Sequence, residues 1–170
     1  MSATATAKPA QLLYPDLAEE LATTRKMLGL VPDGHNDFKP HDKSMMLGSL
    51  ATHLTQLPKF VNTILSTSEL DFATTPWVEK TLSTTAERLQ EFDQNAGAMS
   101  SDIHAAEWPT LEQSWTLRAG EQVYVTEPKG KLLRTFALSH MAHHRAQLGV
   151  YLRLLGIAIP GCYGPSADEM

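Results

Sequence analysis

Residues 136–151 read FALSHMAHHRAQLGVY, an apolar stretch in which three histidines are embedded. His140 and His144 are four residues apart, so on an α-helix they share one face, with Cβ atoms about 6 Å apart. A Zn–N bond is about 2.0 to 2.1 Å long, so two imidazoles at this spacing can bind one metal ion together with a third ligand. The stretch therefore predicts a helix that supplies two ligands of a metal site.

Length and composition indicate a single domain of an intracellular type. A chain of 170 residues buries about two-thirds of its unfolded surface on folding. The lone Cys162 excludes an internal disulfide and any CxxC motif. The net charge of −5 disfavours nucleic-acid binding, and no stretch approaches the roughly 18 apolar residues of a membrane span. We expect a cytoplasmic protein, with an unstructured segment at residues 1–12, one domain at residues 13–170, and neither nucleic acid nor membrane as partner.

The first two predicted helices have apolar residues at three- and four-residue intervals. The first follows Pro15 and ends at Pro32. The second begins near Ser44 and is expected to bend at Pro58, which removes a backbone hydrogen bond. His53 lies in the middle of the inward stripe of this second helix, which comprises Met46, Leu50, His53, Leu57, Phe60 and Ile64. His53 is therefore the candidate third ligand.

The second half of the chain contains a hairpin between two further helices. The third helix is predicted from Pro76 or Thr81 to Ile103. Residues 114–128, SWTLRAGEQVYVTEP, then alternate around a turn at Ala119-Gly120, which is typical of a β-hairpin. The fourth helix starts near Lys131. We therefore predict an all-α fold, a four-helix bundle whose long third-to-fourth connection carries a short β-hairpin; such bundles commonly build metal sites between facing helices.

Helical phase sorts the residues of the fourth helix. His140 and His144 lie within the core-facing stripe, His143 lies about 60° outside it, and Arg145 points away. Gly156 is suited to end the helix. Four apolar residues outside the main stripe indicate contact with a further wall of the fold or with a second subunit; they are Leu132, Leu138, Val150 and Leu152.

The three inward histidines are more informative together than singly. One buried histidine is usually a hydrogen-bonded core residue, but three imidazoles on apolar stripes are costly to bury without a shared partner. We predict a metal site made by His53, His140 and His144. Three protein ligands leave coordination positions vacant, as in catalytic sites. Imidazole suits zinc, nickel, copper and iron, so the pattern does not select the metal.

Three stretches also resemble the DinB-like, damage-inducible family. They are KPHDKSMMLGSLATHL at 39–54, WTLRAG at 115–120, and HMAHHRAQLGVYLRLLG at 140–156 with IPGCYGPSADE at 159–169. The resemblance implies a four-helix bundle in which His53, His140 and His144 bind a divalent metal, and it implies a homodimer. Ala146 departs from the family motif, which usually has glycine after the arginine.

The resemblance also implies a class of chemistry. Relatives include transferases that use low-molecular-weight thiols, so the leading hypothesis is a zinc- or nickel-dependent S-transferase with a small-molecule substrate. In that case the nucleophile is the sulfur of the thiol and not Cys162. The alternatives are a metal-dependent hydrolase, for which Glu19, Glu20 and Asp93 are weak candidate bases, and a non-catalytic metal-binding stress-response module. The sequence identifies no catalytic residue, no thiol-binding residue and no particular substrate.

Overall fold

The protein, a computed structural model that describes residues 8–76, 78 and 80–170, is mostly helical with a small three-stranded sheet. The helices are α1 (Pro9–Leu13), α2 (Leu17–Leu28), α3 (Leu47–Gln56), α4 (Lys59–Ser66), α5 (Thr85–Ala105), α6 (Trp108–Leu111), α7 (Lys129–Leu132), a π-helical segment (Leu133–Ser139) and α8 (His140–Leu154). The strands are β1 (Glu69–Asp71), β2 (Ser114–Ala119) and β3 (Gln122–Pro128). Buried apolar side chains from α2, α3, α4, α5 and α8 form one core.

The N-terminal region differs from the predicted unstructured segment at residues 1–12. Helix α1 begins at Pro9, whose fixed φ angle suits the first position of a helix. Ala10 and Tyr14 are buried, and the Tyr14 hydroxyl donates a 2.7 Å hydrogen bond to the carbonyl of Gly130. These contacts hold the segment against the rest of the fold from Pro9 onward. Residues 1–7 of that prediction lie outside the described residues.

The predicted second helix is interrupted where its proline falls. Helix α3 ends at Gln56 and α4 begins at Lys59, on either side of Leu57 and Pro58. Both halves continue one buried stripe through Leu54 and Val61. Helix α3 starts at Leu47, three residues after the predicted start at Ser44. The interruption therefore changes the direction of the chain without ending its contact with the core.

Helix α5 begins later than the predicted Pro76 or Thr81. Thr84 caps it: its side chain accepts from the backbone N–H of Glu87, and the Glu87 carboxylate accepts from the backbone N–H of Thr84. This reciprocal capping box satisfies two N–H groups that a helix start leaves without partners. The start of α5 is therefore set by the sequence Thr-x-x-Glu rather than by the upstream proline.

The predicted hairpin is present, and a third strand joins it. Strands β2 and β3 pair antiparallel around a turn in which Gly120 has a φ of 57°, a conformation that glycine adopts without strain. Strand β1 pairs parallel with β2. The Asp71 carboxylate accepts 2.9 Å hydrogen bonds from the backbone N–H groups of Gly120 and Ala73. The sheet thus connects the turn after β1 to the tip of the hairpin.

The predicted fourth helix contains a change of helical type. It runs through α7 and the π-helical segment, and α8 begins directly at His140. Gly156 ends α8 with a φ of 74°, as predicted, and the N–H of Ile157 returns to the carbonyl of Leu152. Short π-helical insertions often occur at functional sites. Here the change of type lies immediately before the first histidine of the candidate metal site.

The prediction that Arg145 points away from the protein is wrong. Its side chain is 1% exposed and forms a 2.8 Å ion pair with the Glu20 carboxylate of α2. The guanidinium also donates to the Glu20 carbonyl and to the Thr24 hydroxyl, and it contacts the Tyr163 hydroxyl. A buried arginine with carboxylate, carbonyl and hydroxyl partners replaces the hydration it loses. Arg145 therefore joins α8 to α2 and to the C-terminal tail.

The surplus apolar surface predicted for the fourth helix is largely covered within one chain. Leu132, Leu138 and Leu152 are all buried. Val150 remains 58% exposed, and Leu154, one turn later, is 59% exposed. Most of that surface therefore contacts a further wall of the same fold. Within the described ranges, no helix is long and apolar enough to cross a membrane.

Replacing Glu20 with alanine should destabilise the protein strongly. The substitution leaves the Arg145 guanidinium buried without its carboxylate, a change that typically costs about 3 to 5 kcal/mol of unfolding free energy. The matched control is Asp93→Ala, which breaks the ion pair to Arg25 on the same helix α2, where both side chains are about half exposed. It should cost less than about 1 kcal/mol. Urea unfolding of both variants checks this, and equal losses would contradict the structural role of Arg145.

Candidate metal centre

The three histidines predicted as ligands meet between α3 and the start of α8. His53 lies in the second turn of α3, while His140 and His144 occupy successive turns of α8. The ring centroids are 4.6 Å apart for His140 and His144, 4.8 Å for His53 and His144, and 5.3 Å for His53 and His140. The three residues chosen by helical phase therefore do lie together at the interface between α3 and α8.

These rings can present one nitrogen each to a common point. The three potential ligand atoms all lie within 4.8 Å of one another. His144 is buried, whereas His53 and His140 are partly exposed. In the part of the chain that the structure describes, no carboxylate or thiol joins this cluster. The arrangement is thus a three-imidazole cluster that has one buried member and faces solvent through the other two.

A hydrogen bond fixes which nitrogen of His144 faces the cluster. Its Nδ1 lies 2.7 Å from Oε1 of Gln147, and its Nε2 lies 2.8 Å from Nε2 of His140. Because an amide oxygen can only accept, Nδ1 of His144 carries the proton. In the neutral ring, Nε2 then carries a lone pair that points into the cluster. This tautomer is the one that can bind a metal through Nε2.

His140 meets His144 through the ring nitrogen that faces the cluster. Its Nε2 lies 2.8 Å from Nε2 of His144, a hydrogen-bond distance. Because Nε2 of His144 is the acceptor, Nε2 of His140 carries the proton of this bond. The two rings of α8 thus direct their Nε2 atoms at each other.

The donor set fits a divalent cation. The proton shared by the two Nε2 atoms, which are 2.8 Å apart, occupies the position that a cation can take. Two bonds of about 2.0 to 2.1 Å meeting at about 90° to 110° hold their nitrogens about 2.9 to 3.4 Å apart, which is close to the observed separation. The residues that would hold the ion are His53, His140 and His144. A cation here would satisfy nitrogens that the surrounding helices already direct at one another.

Burial and neighbouring imidazoles disfavour protonation of His140. Burial is the largest cause that lowers its pKa, to about 4 from an ordinary 6.5, and the nearby His144, His53 and His143 lower it further. The hydrogen bond to the Phe136 carbonyl acts in the opposite direction. The ring is therefore neutral near pH 7, which is the form that coordinates metals.

The remaining candidate residues lie apart from the cluster or are already engaged. His143 is exposed, and its ring centroid lies 4.9 Å from that of His144, outside the three-histidine group. Glu20 is ion-paired with Arg145, and Asp93 is ion-paired with Arg25 on the surface. Glu19 is exposed. Neither Glu20 nor Asp93 is available as a general base without losing its arginine partner.

Cys162 lies on the C-terminal tail and is not part of the histidine cluster. The thiol is half-buried beside a groove that is also lined by Met27 and Gly149. The cluster itself contains nitrogen donors alone.

Sequence reasoning missed the acceptor that orients His144. Gln147 is exposed, and its amide contacts the Nδ1 of a histidine three residues earlier. That i, i+3 spacing is a signal that could have identified it.

Fold and site together define a mostly helical protein with a small sheet and a three-histidine cluster that can hold a metal ion. The sequence pattern of the DinB family matches residues 1–170. The chain therefore belongs to the DinB family, as its motifs predict.

Relatives and solved structures agree with this membership. The chain is 27% identical to the protein YrdA of Bacillus subtilis (strain 168) over 152 residues, which cover 88% of this chain and 85% of YrdA. Its fold is similar to that of a DinB-like protein of Bacillus cereus ATCC 10987, with a TM-score of 0.67, 18% identity, and 89% and 95% of the two chains covered. The DinB-like protein YjoA of Bacillus subtilis gives a TM-score of 0.65, with 17% identity and 89% and 96% covered.

The depressed pKa of His140 predicts that the metal-free protein loses stability in acid. The unfolded chain binds a proton near pH 6.5, whereas folded His140 binds it near pH 4. The contribution of His140 is therefore complete above pH 6.5 and is lost as the pH falls from 6.5 to 4, by at most about 1.4 kcal/mol per pH unit. Urea unfolding of chelator-treated protein should show a shallower pH slope for His140→Gln than for the unsubstituted protein.

The control for this prediction is His35→Gln, which changes an exposed histidine in the loop before α3. Its slope between pH 6.5 and 4 should match that of the unsubstituted protein. Identical slopes for all three proteins would contradict the buried, neutral state of His140.

Proposed function

We propose that His53, His140 and His144 bind one divalent cation, zinc or nickel, within a four-helix bundle of the DinB type. The single observation that supports this most strongly is the 2.8 Å approach of the Nε2 atoms of His140 and His144, with Gln147 accepting from the opposite nitrogen of His144. Helices α2, α5 and α8, with α3 and α4 as one interrupted helix, would form the four walls of the bundle. The resemblance of the motifs to the metal-binding DinB-like family supports the same three ligands.

We further propose that the site is catalytic, as a metal-dependent S-transferase acting on a small molecule with a low-molecular-weight thiol. A divalent ion with vacant positions supplies Lewis-acid chemistry, which favours the thiolate form of a thiol near neutral pH. The chain's own residues hold the ion on the buried His144 and leave the side of His53 and His140 accessible. Hydrolysis is the weaker alternative, because Glu20 and Asp93 are both engaged in ion pairs.

Substitution of His140 should remove the metal while the fold persists. Three imidazoles are required for tight binding, so His140→Ala protein purified without chelators should contain less than about one-tenth of the metal per chain found in the unsubstituted protein. The matched control is His143→Ala, which removes a histidine that lies outside the cluster. This variant should retain full metal content. Elemental analysis with circular dichroism checks both variants. If both variants retain their metal, this ligand set is refuted.

The catalytic part of the proposal needs a separate measurement. Metal-loaded protein would be assayed with a panel of low-molecular-weight thiols and electrophilic substrates, using His140→Ala as the inactive control. Thiol-dependent product formation that is lost in His140→Ala supports the transferase. No turnover with any thiol, together with a large fall in Tm on removing the metal, would instead identify a stabilising metal-binding module, because metal bound only to the native state contributes folding free energy.

We also propose a homodimer through the outer face of α8. The exposed Val150 and Leu154 border an apolar groove of about 300 Å³ that is also lined by Met27, Ile159 and Cys162. Two such faces would cover each other's apolar side chains. Sedimentation should show a dimer for the protein and a monomer for Val150→Asp, whereas Val123→Asp, which changes an equally exposed valine of the hairpin, should leave the dimer intact. A monomer before any substitution would contradict the proposal.

A further inference from the structure

The amide of Gln147 contacts a ring of the histidine cluster from outside the cluster. Its Oε1 lies 2.7 Å from Nδ1 of His144. The residue is exposed, on the face of α8 that also carries His143. Packing in the core therefore does not explain its position. Its amide oxygen accepts a hydrogen bond from Nδ1, the ring nitrogen opposite the one that faces the cluster.

We infer that Gln147 is a positioning residue, which holds His144 in the tautomer and ring orientation that present Nε2 to the cation. The inference rests on the proposed metal site at His53, His140 and His144. His144 is the buried member of that cluster, and Gln147 accepts from the ring nitrogen opposite the one that faces the cation site. Without the acceptor, the proton of the neutral ring can lie on either nitrogen, and half of the available states do not bind through Nε2.

His144 obtains its acceptor from the next turn of its own helix. Gln147 lies three residues later on α8, so its amide reaches the ring across a single helical turn. The spacing keeps the ring and its acceptor on one rigid element.

The test compares Gln147→Leu with Gln147→Glu. Leucine removes the acceptor and keeps the size, so the dissociation constant for zinc should rise about 10- to 100-fold, the usual effect of losing such a partner. Glutamate keeps an acceptor oxygen at the same position and should restore affinity to within about threefold of the unsubstituted protein or tighter. The affinity would be measured by competition with a chromogenic zinc chelator.

Two controls separate positioning from stability and from failure of the metal site. Gln94→Leu, the same change at an exposed position of α5, should leave the zinc affinity unchanged. The Tm of metal-free Gln147→Leu should stay within about 2 °C of the unsubstituted protein, because the side chain is exposed. His140→Ala, measured in parallel, reports on the ligand set itself.

Each outcome decides the inference. Weak zinc binding by Gln147→Leu with recovery in Gln147→Glu and an unchanged metal-free Tm supports it. Unchanged affinity in Gln147→Leu, or weakened affinity in Gln147→Glu as well, overturns it while leaving the three-histidine site in place, provided that His140→Ala has lost zinc. Full zinc binding by His140→Ala would overturn the metal site and this inference together.

Discussion

The ion pair between Arg145 and Glu20 fixes the rotation of α8 about its axis. A buried guanidinium needs its carboxylate in place, because either charge alone in the protein interior is costly. Arg145 also donates to the Glu20 carbonyl and the Thr24 hydroxyl, so α8 is held against a defined stretch of α2. Any rotation of α8 would break all of these contacts at once. The direction of every other side chain on α8 follows from this anchor.

His144 immediately precedes Arg145, so its side chain leaves the helix about 100° away from the arginine. With Arg145 directed at α2, His144 and His140 are directed at α3, where His53 lies. Further along the helix, the Tyr151 hydroxyl donates to the Met45 carbonyl just before α3. Arg153 pairs with Asp168 of the C-terminal tail. The motif that identifies the family thus contains His140 and His144 of the cluster together with residues that hold α8 in position.

The sequence predicted the elements that depend on side-chain period and on turn residues. Helical phase brought His53, His140 and His144 together, Pro58 marked the interruption between α3 and α4, and Gly156 marked the end of α8. Phase gives the direction of a side chain but not what lies there. For this reason phase alone predicts that Arg145 faces solvent, although Glu20 of α2 lies 2.8 Å from its guanidinium.

Other features had no signal that the sequence could supply. Strand β1 has three residues, too few for an alternating pattern, and it pairs with a strand more than 40 residues later. The π-helical segment changes the hydrogen-bond spacing without a distinctive composition. The start of α5 is different, because the Thr84-to-Glu87 capping box is readable in the sequence and marks a later start than the predicted Pro76 or Thr81.

The site combines a rigid frame with an accessible face. Its donors are three imidazoles, one of them oriented by an acceptor outside the cluster, and its partial exposure leaves room for an exogenous ligand. X-ray absorption spectroscopy of the zinc-loaded protein tests this account most directly. It predicts a first shell of nitrogen and oxygen at about 2.0 to 2.1 Å with multiple scattering from three imidazoles. A sulfur shell at about 2.3 Å, or scattering from fewer than two imidazoles, would contradict it.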